Sequence, residues 1–345
     1  MAGDSSGITV DSQFKLYPER KNASESWGTF NAVNIEATQA TLIPDGTTST
    51  PDKWEYAFAR PVHIPVPRHG ELRVRISEKL DQTVAKEVLA SELFLGTDHD
   101  EVVFVDVVDD VNRGKIAVFR ISMLRYGLKQ VTLNRDAPAR SSKKISAVLR
   151  SVGHWYFHLT HEPLSSTLGV SVEFHLLKQD YVDGTNRPSW IPDRAKPDMN
   201  VKNVIQITGN SNDKFGMTIV NSTAANLYPY LYYFDMKSLE IHDWPISADG
   251  KDKVDPPLLS KSRLAVGYGS SIAPRFVFNA VKEDEPGFFK LILTTSPTSL
   301  DLRIAPSPFK FQIARGGPVP DVTPQWGVIV VKVMQSPAKK KDQLQ

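Results

Sequence analysis

Residues 227–235 are LYPYLYYFD, and the placement of this run decides the fold. Alternation puts Tyr228, Tyr230, Tyr232 and Phe234 on one face of a strand, with Leu231 and Tyr233 on the other. If the tyrosine face is exposed, it can stack a sugar ring or a partner's side chains. A strand buried on both faces produces the same pattern. The pattern favours core with a hydroxyl or two at the rim, and leaves Tyr228, Tyr230 and Tyr232 as candidate binding residues. Strand-like runs surround it: NVIQIT (203–208), GMTIVN (216–221), LEIHDW (239–244), RLAVGY (263–268), RFVFNAV (275–281), FKLILTTS (289–296) and WGVIVVKVM (326–334). Strands of this length between regular turns predict an antiparallel β-sandwich over residues 201–335.

Upstream, residues 179–200 are rich in Pro, Asp and Gly, lack periodicity and contain Trp190. They are expected to form a long loop or linker, and Trp190 is a further candidate binding residue. Residues 141–163, SSKKISAVLRSVGHWYFHLTHEP, predict a helix capped by Ser141 or Ser142 and closed before Pro163. Its stripe is Ile145, Val148, Leu149, Val152, Trp155, Tyr156 and Leu159; Lys143, Arg150, His154, His158 and His161 fall opposite. Residues 78–94 predict a shorter helix, with Leu80, Val84, Val88 and Leu95 on one side and Gly96 as a stop. The rest of the first third is strand-like, and DDVNRG (109–114) carries the Asn and Gly of a tight reversal. The expected fold class is mainly β with some α. An α+β domain with two helices (1–178), the linker (179–200), the sandwich (201–335) and a basic, disordered tail (336–345) follow in order.

The 345 residues carry 41 Lys and Arg against 39 Asp and Glu, a net charge of +2. So even a balance gives no field for nucleic acid or an anionic membrane. There is no cysteine, which excludes disulfides, thiolate metal sites and a cysteine nucleophile, and suits a cytoplasmic protein. The start lacks the cationic and apolar stretches of a signal peptide, and no apolar run reaches the ~20 residues of a membrane span. The sequons at Asn22 and Asn221 are therefore expected to go unused.

His154, His158 and His161 have the spacing of a shared helix face, and metal ligation must be weighed for them. Trp155 stands where a zinc-protease helix needs glutamate, and Arg150 and Lys143 on the same face repel a cation. A solvated or lightly packed polar face is the better reading, with no metal and no cofactor. GYGSS (267–271) fits neither a phosphate loop nor a nucleophile elbow. Gly267 and Gly269 are expected instead to allow a bulge or a close backbone approach. Asp110, Asn112 and Gly114 echo a calcium loop but suit a charged hairpin tip better. No catalytic residue is assigned, because nothing local arranges Ser, His and Asp as a triad.

GITVDSQFKLY, AVLRSVGHWYFHL, VNSTAANLYPYLYYFD, LAVGYGSSIAPRFVF, GFFKLILTTSP and SPFKFQIAR occur in this order between about residues 7 and 334. Together they resemble the non-catalytic region that follows the peptidase domain in caspase-like (metacaspase-related) proteins of mushroom-forming fungi. The resemblance implies a non-enzymatic protein-interaction or regulatory module, with a caspase-like peptidase as partner. The catalytic His/Cys domain of that family is missing here, so His154 and His158 carry over as fold landmarks only. Two alternatives stand beside it: a cytoplasmic, lectin-like defence protein that binds glycans, and a hydrolase with a site built from distant residues.

Overall fold

The structure, a computed structural model, describes residues 8, 10, 12–18, 26–35, 40–46, 57–63, 73–90, 102–163, 169–181, 188–208, 212–246, 258–269, 273–297 and 326–337. Among them the chain is mostly β with two helices. It divides into two compact units. The first takes the chain up to Glu162 together with Lys237–Ile241. The second takes Pro163–Met236, His242–Pro297 and the C-terminal strand.

In the first unit β1 (Gln13–Tyr17), β2 (Gly28–Ile35), β3 (Ala40–Pro44) and β4 (Phe58–His63) form an antiparallel sheet of order β3-β2-β1-β4. A small core of Ile8, Phe14 and Ala32 lies against it. The sequence pattern misses β2, because Asn31 and Asn34 disfavour strand and a bulge between Ala32 and Asn34 breaks the alternation. A second sheet, β5 (Arg73–Ile76), β6 (Val102–Asp110), β7 (Gly114–Met123) and β8 (Leu128–Pro138), pairs β5 parallel to β6 and the rest antiparallel.

The β6–β7 reversal forms where Asn and Gly predict it. Asp110 Oδ1 accepts from the backbone N–H of Asn112 and Arg113, and Gly114 turns the chain at φ +72°. With its carboxylate also taken by Arg113, Asp110 is a turn residue in place of a calcium ligand.

Helix α1 (Gln82–Ala90) is capped by Asp81, which accepts from Thr83 N and Val84 N, and buries Val88 while Leu89 stays exposed. The expected continuation to residue 94, with Leu95 on the stripe and Gly96 as the stop, lies outside the described residues. Helix α2 (Ser142–Thr160) starts at Ser141, whose hydroxyl accepts from Lys144 N, and packs against α1 and β8. Ile145, Leu149, Val152, Trp155, Tyr156 and Leu159 are buried as the stripe requires. Each large side chain so buried contributes roughly 1.5–3 kcal/mol against an exposed reference. Lys143, Ala147 and Arg150 are exposed.

His158 departs from the expected wet face: it is 8% exposed. It lies three residues beyond Trp155 and beside Leu159, at the margin of the stripe, and the packing widens to include it.

In the second unit β9 (Val170–Tyr181), β10 (Pro188–Pro192), β13 (Phe215–Asn221) and β16 (Arg263–Val266) form an antiparallel sheet ordered β10-β9-β13-β16. A six-stranded sheet combines β11 (Asn200–Val201), β12 (Val204–Thr208), β14 (Tyr228–Asp235), β15 (Ile241–Trp244), β17 (Glu285–Thr294) and β18 (Trp326–Ser336). Its order is β11-β12-β18-β17-β14-β15. Val172, Phe174, Met217 and Ile219 of the first sheet share one core with Leu231, Phe289, Leu291, Val331 and Val333 of the second.

Among the described residues of the second unit, the expectation of purely antiparallel strands fails at one pair. The last strand, β18, returns between β17 and β12 and runs parallel to β12. RFVFNAV is not a strand: Phe276 makes an isolated bridge to Phe215, while Phe276 and Phe278 sink into the core from irregular backbone. The stretch 179–200, expected as a linker, lies within the second unit. Its described part folds back as β10 on β9, with Trp190 opposite Gln179. Pro188 and Pro192 are tolerated there because, among the described residues, β10 is an edge strand, where a missing N–H on the outer row breaks no ladder bond. Of the basic tail, residues 338–345 lie outside the described residues.

Candidate functional site

The outward face of the β10-β9-β13-β16 sheet gathers the chemistry of the second unit. On β9, Val172 and Phe174 point into the core, so Glu173 and His175 point away from it. On β13, Thr218 stands opposite Glu173 and Gly216 opposite His175. On β16, Arg263 stands opposite Val220 and reaches diagonally to the Glu173 carboxylate.

Tyr268, just past β16, folds back over the sheet. A Cβ on Gly216 would stand 2.6 Å from Tyr268 Cδ1, so the bare glycine is what lets the ring lie down. Tyr268 Oη then meets Thr218 Oγ1 at 2.6 Å, and Thr218 Oγ1 meets His175 Nε2 at 3.0 Å. The His175 and Tyr268 rings approach edge to face at 6.2 Å.

The two glycines flanking Tyr268 anchor the rest. Gly269 N–H donates to the Trp190 carbonyl at 3.1 Å. Gly267, at φ +82°, lets the backbone of Pro274 and Arg275 come so near that a Cβ would stand 3.0 Å from the Pro274 carbonyl oxygen. Close backbone approach is thus the role of the first glycine in GYG. From the segment held there, the Arg275 guanidinium lies 5.0 Å over the Trp190 ring. One short motif therefore ties together Trp190, Arg275 and the Thr218–His175 pair.

The Thr218, His175 and Glu173 side chains do not have the geometry of an acyl-transfer triad. Thr218 is 2% exposed, too enclosed to attack a bulky substrate. Glu173 Oε2 approaches Nε2 of His175 at 3.4 Å, the same nitrogen that meets Thr218. A triad needs the carboxylate on the opposite nitrogen, orienting the base from behind.

Of the residues singled out from sequence, Trp190 belongs to this face. The tyrosines do not: they lie on β14, in the other sheet. Leu231 and Tyr233 face the shared core, so Tyr228, Tyr230 and Tyr232 occupy the opposite side of that strand. Tyr232 is 1% exposed and is core in place of a ligand platform, while Tyr228 and Tyr230 are half-buried. Burial pushes the Tyr233 phenol far above its ordinary range, the charges of Asp235 and Glu285 adding to it.

On α2, His154 and His158 meet edge to face at 4.4 Å, and Phe157 lies 5.0 Å from His161. They form an aromatic row along the helix. Among the described residues no group of three or more His, Asp or Glu is placed to hold a metal ion.

Glu173, His175, Thr218, Tyr268 and Arg275 were not singled out as site residues from the sequence. A signal existed in VSVEFHLLK, where Glu and His alternate with core residues, and in the Tyr between two glycines. No family model matches the chain, and neither a curated protein nor a solved structure does.

Proposed function

We propose that this chain is a non-enzymatic protein-interaction or regulatory module of caspase-like systems, whose partner docks on the outward β10-β9-β13-β16 face. The observation that carries the reading is the convergence of Trp190, Tyr268 and Arg275. Trp, Tyr and Arg are the side chains that dominate binding hot spots. Here they come from three separate segments, and each is held by a backbone device, which lowers the cost of ordering them on contact.

The choice of a caspase-like peptidase as partner comes from the ordered landmarks that resemble that family's accessory region. The two sheets of the second unit are read as a β-sandwich with one parallel pair, a reading that their shared core supports. In such a sandwich the inner faces supply the core and the outer faces recognise. A cysteine-free chain fits action in the reducing cytoplasm. The lectin-like alternative draws on the same Trp190 ring beside hydrogen-bonding groups. The hydrolase alternative has the weaker support, since Thr218 and Glu173 compete for one nitrogen of His175.

The test places a photo-cross-linking amino acid at Gln179, the exposed neighbour of Trp190, and irradiates the protein in an extract of its organism of origin. A caspase-like chain cross-linked in the parent but not in Trp190→Ala supports the proposal. No cross-linked protein, with glycan-array binding lost in Trp190→Ala, replaces it by the lectin-like reading.

A further inference from the structure

We infer that Arg275 and Trp190 form the anion-reading element of this face, and that the docking segment is an acidic peptide whose Asp or Glu side chain is taken by the guanidinium. This rests on the proposal that a protein partner docks here, and names the chemistry of the part that touches it.

Two arginines serve the face, and their situations differ. Arg263 spends its charge on Glu173. Arg275 is exposed, and among the described residues its guanidinium pairs with the Trp190 ring and with no carboxylate. A cation held over an indole face by its charge can still turn its N–H groups to a ligand, and a guanidinium matches a carboxylate with two parallel hydrogen bonds. The complementary group for an uncompensated charge on a docking face is an anion.

The backbone that carries Arg275 is held on both sides. Pro274 O accepts from Trp244 Nε1 at 3.1 Å, and Phe276 exchanges both backbone hydrogen bonds with Phe215 at 3.0 Å. Gly267 packs beneath, its Cβ position 3.1 Å from Arg275 Cα. The cation is thus presented at a defined place, and part of the entropy of ordering it is already spent before a partner arrives. Trp190 would contribute the apolar contact that shields the ion pair from water and strengthens it.

The experiment pans a display library of short random peptides against the full chain, then measures synthetic copies of the winners by fluorescence anisotropy. Proteins compared are the parent, Arg275→Gln, Arg275→Lys, Trp190→Ala and, as a remote control, Arg150→Gln on the exposed side of α2. Circular dichroism checks that each variant keeps the parent fold. The expected winners carry Asp or Glu. Their affinity falls about tenfold in Arg275→Gln, by less in Arg275→Lys, and not at all in Arg150→Gln. Winners without acidic residues that need Trp190 but ignore Arg275→Gln overturn this inference and leave the docking face standing. Winners indifferent to both substitutions, or no enrichment above background, overturn the inference and the docking face together.

Discussion

Tyr268 lies where the side chain of residue 216 would be. The Cβ that glycine lacks at Gly216 would meet Tyr268 Cδ1 at 2.6 Å, Leu177 Cδ2 at 3.1 Å and the Val266 carbonyl oxygen at 3.3 Å. One missing methyl group thus decides whether the Tyr268 ring can lie on the sheet.

Gly216→Ala is therefore expected to push Tyr268 off the sheet and break its hydrogen bond to Thr218. Overpacking of this kind costs about 1–3 kcal/mol. Urea denaturation measures the loss, and partner or peptide binding should fall with it. A variant as stable as the parent would contradict the packing described.

Asn221 predicts both chemistry and stability. It is 1% exposed, its Nδ2 donates to the carbonyls of Ala225 at 2.8 Å and Leu259 at 2.9 Å, and its Oδ1 accepts from Thr223 N and Oγ1. Both amide hydrogens are committed, so a glycan on Asn221 could not be accommodated without breaking both carbonyl contacts. Asn221→Asp replaces two donors by acceptors facing two carbonyls, and should cost about 3 kcal/mol in denaturant unfolding.

Acid should weaken the first unit. Asp106 is held below its ordinary 3.8 chiefly by the Val107 N–H, with Ser77, Lys79 and Arg120 assisting. Asp110 is lowered by the Arg113 guanidinium and by the N–H groups of Asn112 and Arg113. A depressed folded-state pKa contributes stability that is present above the unfolded value and lost as pH falls through the folded one. The thermal midpoint should hold near neutrality and drop below pH ~4, and the double variant Asp106→Asn, Asp110→Asn should flatten that drop. Equal slopes for parent and variant would contradict the assignment.

Base should weaken the second unit through Tyr233. Its phenol is raised from 10.0 by burial, then by the charges of Asp235 and Glu285. A raised folded-state pKa gives stability that is complete below the unfolded value and lost as pH rises above it. Unfolding free energy should decline above pH ~10, and less steeply in Tyr233→Phe. Denaturant titrations on both sides of that pH read the difference.

Several elements were legible because their signal is local. The stripe from Ile145 to Leu159 and the cap at Ser141 place α2 without tertiary information, and Asn112 with Gly114 places the β6–β7 reversal. Others depend on neighbours distant in sequence. Edge position lets Pro188–Pro192 be a strand, bridging to Phe215 leaves RFVFNAV irregular, and His158 is enclosed although the helix period puts it on the polar side.

What the sequence by itself determined about this protein is its class, mostly β with two helices, and what is excluded for want of cysteine. Periodicity and turn chemistry act within a few residues, so they can be read in one dimension. Only the tertiary structure decided which sheet faces meet the core and which meet solvent. It buried Tyr232, inserted β18 parallel to β12, and brought Trp190, His175, Thr218, Tyr268 and Arg275 onto one surface. The physical reason is that strand pairing joins segments far apart in the chain. A period of two says that alternate residues share a face, but not whether that face meets core or solvent.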